Sequence, residues 1–233
     1  MLFKHRGGKR RGAGRPAKGA RASAPHKARD FLDARYPVHV VLRATREIAS
    51  LRRRNFYLAV REATIVTARR TDFRIVQLSV QRSHLHLLVE AKSASALATG
   101  MQGFQISAAK HINAAISKHR PGPRRRGSVF PDRYHMEIIT SPRQARHALS
   151  YVMGNWRKHQ EDQHPAMRGW AIDWYSSAAT FTGWNEYGDE PFLMRSPPTY
   201  EALIVYQPRT WLLRTGWRLA GPISWHAVPS AKS

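Results

Sequence analysis

The chain has 233 residues, 42% of them hydrophobic, and carries 39 Lys and Arg against 15 Asp and Glu, a formal net charge of +24. It has no cysteine, which excludes disulfides, thiolate nucleophiles and thiolate metal sites. No apolar run approaches the roughly 20 residues of a membrane span, and the basic N-terminus lacks the apolar segment of a signal peptide. A cytoplasmic protein without a membrane partner is expected.

The charge is unevenly spread. Residues 1–35 hold eleven Lys/Arg against two acids, residues 36–160 twenty-two against six, and residues 161–233 six against seven. The basic surplus therefore belongs to an arm and a middle domain, and the tail is electrically separate. Phosphate backbones are the natural partner, bound through counterion release. No basic amphipathic helix with a broad apolar face is present to favour an anionic membrane instead.

Residues 1–35 have almost no large apolar residue before Phe31 and read as a disordered polybasic arm. Within it, Gly14-Arg15-Pro16 has the centre of a minor-groove arginine hook, although Ala13 stands where that motif carries arginine. A first strand is predicted from Tyr36 to Ala44, with Val38, Val40 and Leu42 on one face and His39 on the other. A helix from Glu47 to Arg69 follows, its stripe being Ile48, Leu51, Leu58 and Ile65. A second strand runs from Phe73 to Gln81, where Val76, Leu78 and Val80 alternate with Gln77, Ser79 and Gln81.

After a break near Arg82-Ser83, residues 84–90 return as an antiparallel strand. Side chains i and i+2 of a strand share a face, so His84 and His86 point one way while Leu85, Leu87 and Val89 point the other. Two imidazoles so placed can bind one divalent cation. Taken alone, the pair also fits an ordinary sheet face. Ser93 or Ser95 opens a long helix whose Leu97, Met101, Phe104, Ala108, Ile112 and Ala115 form its core stripe. A basic loop over 119–127 precedes a fourth strand, Arg133 to Thr140.

Ser141-Pro142-Arg143-Gln144 is a strong helix start, with Ser as N-cap, Pro in the first turn and Gln to close a capping box. The helix runs to about His159. Wound at about 100° per residue, Ala145, Ala148, Leu149, Val152 and Trp156 fall on one side, and Tyr151 and Asn155 on nearly the opposite side. Tyr151 and Asn155, at i and i+4, can address one site or can simply be solvated. The order β-α-β-β-α-β-α is an α+β, ferredoxin-like antiparallel sheet with helices on one face and an added C-terminal helix. The other face is expected to be open for nucleic acid. Residues 161–233 are a loop-rich extension holding six of the seven tryptophans.

The ordered set of a basic ferredoxin-like domain, His84-Leu85-His86 on an inner strand, and Tyr151-Val152-Met153-Gly154-Asn155 on the final helix resembles the IS200-like single-tyrosine HUH transposases. The likeness is closest to the REP-associated tyrosine transposases and covers residues 36–160, including Val129-Phe130-Pro131-Asp132-Arg133-Tyr134 at the entry to the fourth strand. The resemblance implies that Tyr151 is the nucleophile and that His84, His86 and Asn155 hold Mg²⁺ or Mn²⁺, Asn standing where several members carry Gln. It implies cleavage and rejoining of single-stranded hairpin DNA through a 5′-phosphotyrosine, by a monomer or a homodimer. His39, Glu90 and His135 are candidates to support the site. Arg15, Arg52, Arg53, Lys110, Arg124, Arg125, Arg126, Arg133 and Lys158 are candidates for DNA contacts. The rival reading is a nucleic-acid-binding module that grips hairpins without cutting, on a sheet like that of RNA-recognition domains.

Overall fold

The computed structural model of the chain describes residues 31–118, 122–188 and 196–229. Arg15 and nearly all of the arm lie outside the described residues. Leu32, inside the expected arm, is buried in the main core.

Four strands form the sheet: β1 (Val38–Arg43), β2 (Phe73–Val80), β3 (His84–Ala91) and β4 (His135–Ile138). Their order is β2-β3-β1-β4, and every neighbouring pair is antiparallel. Helices α1 (Arg54–Thr67) and α2 (Ala94–Lys118) connect them, and α3 (Pro142–Lys158) follows β4. This is the expected ferredoxin-like order with one added helix.

Alternation dictates the first core. Val38, Val40 and Leu42 of β1 and Leu85, Leu87 and Val89 of β3 are fully buried against α1 and α2. On α2 the stripe Leu97, Met101, Phe104, Ala108 and Ile112 is also fully buried. Gly100 lies one turn from Phe104 for a steric reason, since a Cβ there would fall inside the Phe73 ring. Ser93 caps the helix by accepting from the Ala96 N–H at 3.1 Å.

Helix α1 is shorter than its periodicity predicts. Leu51 N–H donates to the Arg82 carbonyl at 2.8 Å, which ties residues 46–53 to the β2–β3 turn in a non-helical path. Ile48 and Leu51 are buried from that path. The helix itself buries Phe56, Ala59, Val60, Ala63 and Thr67, a stripe in another phase from the one expected.

Strand β2 also departs from simple alternation. Its register with β3 slips between Ile75 and Gln77, which makes Val76 the extra residue of a β-bulge. Ile75, Leu78 and Val80 then join the first core, while Val76 turns to the opposite face beside Leu88.

That opposite face is covered, contrary to the expectation of an open surface. Helix α3 packs across it, and the extension packs against α3. Val76, Leu88, Leu149, Val152, Met153, Trp174, Trp184, Trp217 and Trp225 form a second core there. Gln77, Ser79 and Gln81, predicted to face nucleic acid, are buried. The extension also satisfies the outer edge of β2. Val80 N–H donates to Tyr175 O at 2.9 Å, Leu78 N–H to Ser177 Oγ at 2.9 Å, and Tyr206 N–H to Ile75 O at 2.9 Å. The tryptophan-rich tail is thus a layer of the fold. Its weak strand and helix periodicity left this role open in the sequence.

Arg52 fastens the layer. Predicted to contact DNA, it is instead buried, with its two terminal nitrogens 2.9 and 2.8 Å from the two oxygens of Asp173. The same guanidinium donates to Val80 O at 3.0 Å, has Glu161 at 3.8 Å and stacks over Tyr175 at 4.6 Å. Burial acts to lower its pKa, but Asp173 and then Glu161 outweigh that and raise it. Removing one partner of a buried pair strands the other charge, which costs about 3–5 kcal/mol. Arg52→Ala is therefore expected to lower unfolding stability by about that amount in urea titrations, and an unchanged midpoint would contradict the assignment.

Candidate active site

The histidine pair sits where β3 meets β1 and the second half of α3. Register places Val41 opposite His86, Arg43 opposite His84 and His39 opposite Leu88, so His39 and Arg43 share the face of the pair. That face looks toward α3. His84 Nε2 lies 2.8 Å from His86 Nε2. Two nitrogens this close both lie within reach of one cation at metal–nitrogen distances of about 2.1 Å. On its other side, His86 Nδ1 is 3.1 Å from His39 Nε2.

The hydrogen bond to His39 orients the ring. If His86 presents its Nε2 lone pair, its Nδ1 carries the proton and donates to His39 Nε2. Outer partners of this kind set the tautomer and hold the ligand ring in place. His39 thus has a geometric reason to support the site.

Burial keeps both imidazoles neutral. Desolvation, with His159 and Arg43 nearby, pushes His84 down to about 4. Deeper burial, followed by His39, His84, His159 and Lys158, pushes His86 down to about 2. Neutral imidazole is the form that binds a metal.

Helix α3 brings the tyrosine to this pair. Ser141 Oγ accepts from Gln144 N–H at 3.3 Å, so Ser141 is the N-cap as expected, while Gln144 Oε1 accepts from Thr140 N–H at 2.8 Å, one residue before the N–H that a capping box bonds. The Tyr151 ring lies 5.1 Å from the His86 ring and 6.0 Å from the His39 ring. Lys158 Nζ is 5.1 Å from the centre of the Tyr151 ring. Two turns beyond Tyr151, the His159 ring is 5.6 Å from the His84 ring.

Asn155 occupies the step between Tyr151 and His159 on this i, i+4, i+8 row. It is fully buried, and neither its Oδ1 nor its Nδ2 has a hydrogen-bond partner among the described residues. Its position off the apolar stripe left two alternatives, a shared site with Tyr151 or a solvated face. That row faces the sheet, where Tyr151 meets His86 and His159 meets His84, while Pro229 of the extension packs against Gly154 on another side of the helix. A dry, unsatisfied amide is costly unless something else fills its valence. Two neutral imidazoles and an orphaned amide oxygen fit an oxygen- and nitrogen-binding divalent cation such as Mg²⁺ or Mn²⁺. Among the described residues no three His, Asp, Glu or Cys side chains converge as a metal-binding group.

The other candidates separate. Glu90 shares the strand face but lies at the far end of β3, where it accepts from the Arg209 and Thr210 N–H groups at 2.8 to 3.0 Å. It holds the tail there and does not support the histidines. His135 lies opposite Val41 on β4 and is exposed, two strands from His86. Arg53, Lys110, Arg124, Arg126, Arg133 and Lys158 are exposed. Arg125 is drawn inward, bonded to Glu47 at 2.7 Å and to Asn113. Arg43 and His159 were missed. Both carried a signal, since Arg43 is i+4 from His39 on a strand and His159 is i+4 from Asn155 on a helix.

The model of the family described as "Transposase IS200 like" matches residues 34–155, and the chain belongs to this family. Among solved structures, a REP-associated tyrosine transposase bound to a REP hairpin aligns with a TM-score of 0.49 at 12% identity, over 80% of this chain and 99% of that one. A candidate transposase from Deinococcus radiodurans R1 aligns with a TM-score of 0.35 at 14% identity, over 61% and 98%. No curated protein matches the chain.

The depressed histidines make stability depend on pH in a defined direction. Unfolding returns them to their ordinary value of 6.5, so below that pH the unfolded chain binds protons that the folded chain refuses. The metal-free protein should keep this contribution above about pH 6.5 and lose it as pH falls toward 4. Replacing His84 with Gln should flatten the loss in urea titrations run across that range. An identical slope in both proteins would argue against the buried neutral state.

Proposed function

We propose that this transposase-family chain cleaves and rejoins single-stranded DNA at hairpin-forming repeats, with Tyr151 as nucleophile. The observation that carries the reading is the Tyr151 ring beside His86, itself 2.8 Å from His84, on a buried face reached by one helix. A phenol with its ordinary pKa near 10 needs help to act at neutral pH. Lys158 over the ring supplies positive charge where phenolate charge develops.

The bond formed joins Tyr151 Oη to phosphorus, and the bond broken is that between phosphorus and the 3′-oxygen, which takes up a proton. The 5′-phosphotyrosine retains the phosphodiester energy, so a 3′-hydroxyl can reverse the reaction without a nucleotide cofactor. His84, His86 and Asn155 are the residues that would hold Mg²⁺ or Mn²⁺. Such a cation would neutralise charge on the non-bridging phosphate oxygen. His39 orients His86. Arg43, Arg53, Lys110, Arg124, Arg126, Arg133 and Lys158 supply the exposed positive surface for the DNA backbone.

The test is covalent trapping with a labelled hairpin oligonucleotide and Mn²⁺. The full chain should form a protein–DNA adduct that EDTA prevents and that Tyr151→Phe abolishes. An adduct that survives Tyr151→Phe would move the nucleophile elsewhere. Binding without any cleaved product would favour the module that grips but does not cut.

A further inference from the structure

At the far end of β3 from the histidines, a cleft of about 670 Å³ opens between the start of β1, the end of β3, the start of α3 and the tail. Its walls include Tyr36, Arg74, Lys92, Arg209 and Trp211. Residues 84, 86 and 90 share one strand face, so this cleft and the tyrosine site lie on the same side of the sheet. Ala91 and Pro142 both line it. Five residues of strand from His86, or nine of helix from Tyr151, put the two about 15 Å apart.

Charge in the cleft is unbalanced. The wall carboxylates Asp72 and Glu90 are already engaged. Asp72 pairs with Arg70 at 2.7 Å. Glu90 accepts from the Arg209 and Thr210 N–H groups and has Arg74 at 3.6 Å. Lys92 and Arg209 are exposed, and neither forms an ion pair among the described residues. Crowding of Arg74 by Arg209, after burial, adds to a lowered Arg74 pKa. The cleft is short of negative charge.

Trp211 supplies the second half of the chemistry. Among the tail tryptophans that pack in the second core, Trp174, Trp184, Trp217 and Trp225 are buried, whereas Trp211 is 55% exposed. It is nonetheless held in place. Its six-membered ring lies against Gly216, where a Cβ would stand 2.7 Å from the ring. A fixed, half-bare indole beside two unmatched cations is the combination that binds a base and its phosphates.

We propose that a single-stranded stretch of DNA docks in this cleft, one base stacking on Trp211 and adjacent phosphates lying against Lys92 and Arg209. The proposal rests on the reading of the chain as a single-strand transposase and gives the strand a second anchor several nucleotides from the tyrosine. Arg209 and Trp211 lie on the tail, outside the residues matched by the family model, whereas Lys92 lies within them.

The test uses the full chain carrying Tyr151→Phe, so that nothing is cut, and fluorescence anisotropy with a dye-labelled oligothymidylate of about 12 nucleotides. Trp211→Ala should weaken binding roughly tenfold, and Trp211→Phe should restore most of it. The double change Lys92→Glu with Arg209→Glu alters only exposed side chains. It should weaken binding further and reduce the slope of log affinity against log salt by about 1.4, the value for two single-strand phosphate contacts. Binding equal to the parent in both the Trp211→Ala and the double-charge proteins would overturn the proposal, as would a parent that binds no oligothymidylate. Hairpin trapping by the same cleft variants with Tyr151 intact reads the catalytic assignment separately. Adduct formation at saturating DNA without any cleft effect on affinity would sink the cleft and spare the tyrosine.

Discussion

A guanidinium removed from water has to be matched by carboxylate and carbonyl oxygens, and Arg52 meets that demand only with the tail in place. Asp173, Glu161 and the Tyr175 ring all come from residues beyond α3, whereas Val80 O comes from the sheet. One side chain therefore ties the segment before α1, the end of β2 and the extension into a single unit. Its neighbour Arg82, at 2.5 Å from Glu161, adds a more exposed strand to the same knot. Buried pairs resist screening by salt far better than surface ones do. A chain with a formal net charge of +24 keeps its layers together this way.

The tail in turn sets the medium in which the site operates. Helix α3 lies between the sheet and the extension, which is why Asn155 and Trp156 are both buried although they point in different directions. Low dielectric around the histidines holds them neutral, and it strengthens each remaining charge interaction near Tyr151. Arg157 reinforces the arrangement from the last turn of α3, donating to Trp225 O at 2.8 Å and to Ala171 O at 3.0 Å. The helix that carries Tyr151 and Asn155 is thus backed by residues remote from it in sequence.

Local patterns carried most of the domain. Alternation on β1 and β3, the stripe on α2 and the Ser141–Gln144 cap were readable because each depends on neighbours within a few residues. The placement of His84, His86 and Tyr151 followed from the same periods together with the order of the elements. What escaped the sequence depends on long-range partners. Arg52 looked like part of a basic run because Asp173 stands 121 positions away. Glu90 shares the strand parity of the histidines, but its partners at 209 and 210 lie on a tail without periodicity. The bulge at Val76 inverted a face that strict alternation had assigned, and the covered sheet face followed from tryptophans whose partners no spacing rule identifies.

The occupied outer edge of β2 also bears on how copies of this protein can meet. A bare edge strand offers a row of donors and acceptors on which another strand can grow. Here Tyr175, Ser177 and Tyr206 take up that row from within the chain. Strand-to-strand assembly through β2 would first have to peel the tail away and break the Arg52 knot. Trimming the chain back to its ferredoxin-like domain would create a sticky edge and an uncovered apolar face at one stroke. The extension closes that edge as well as covering the sheet face.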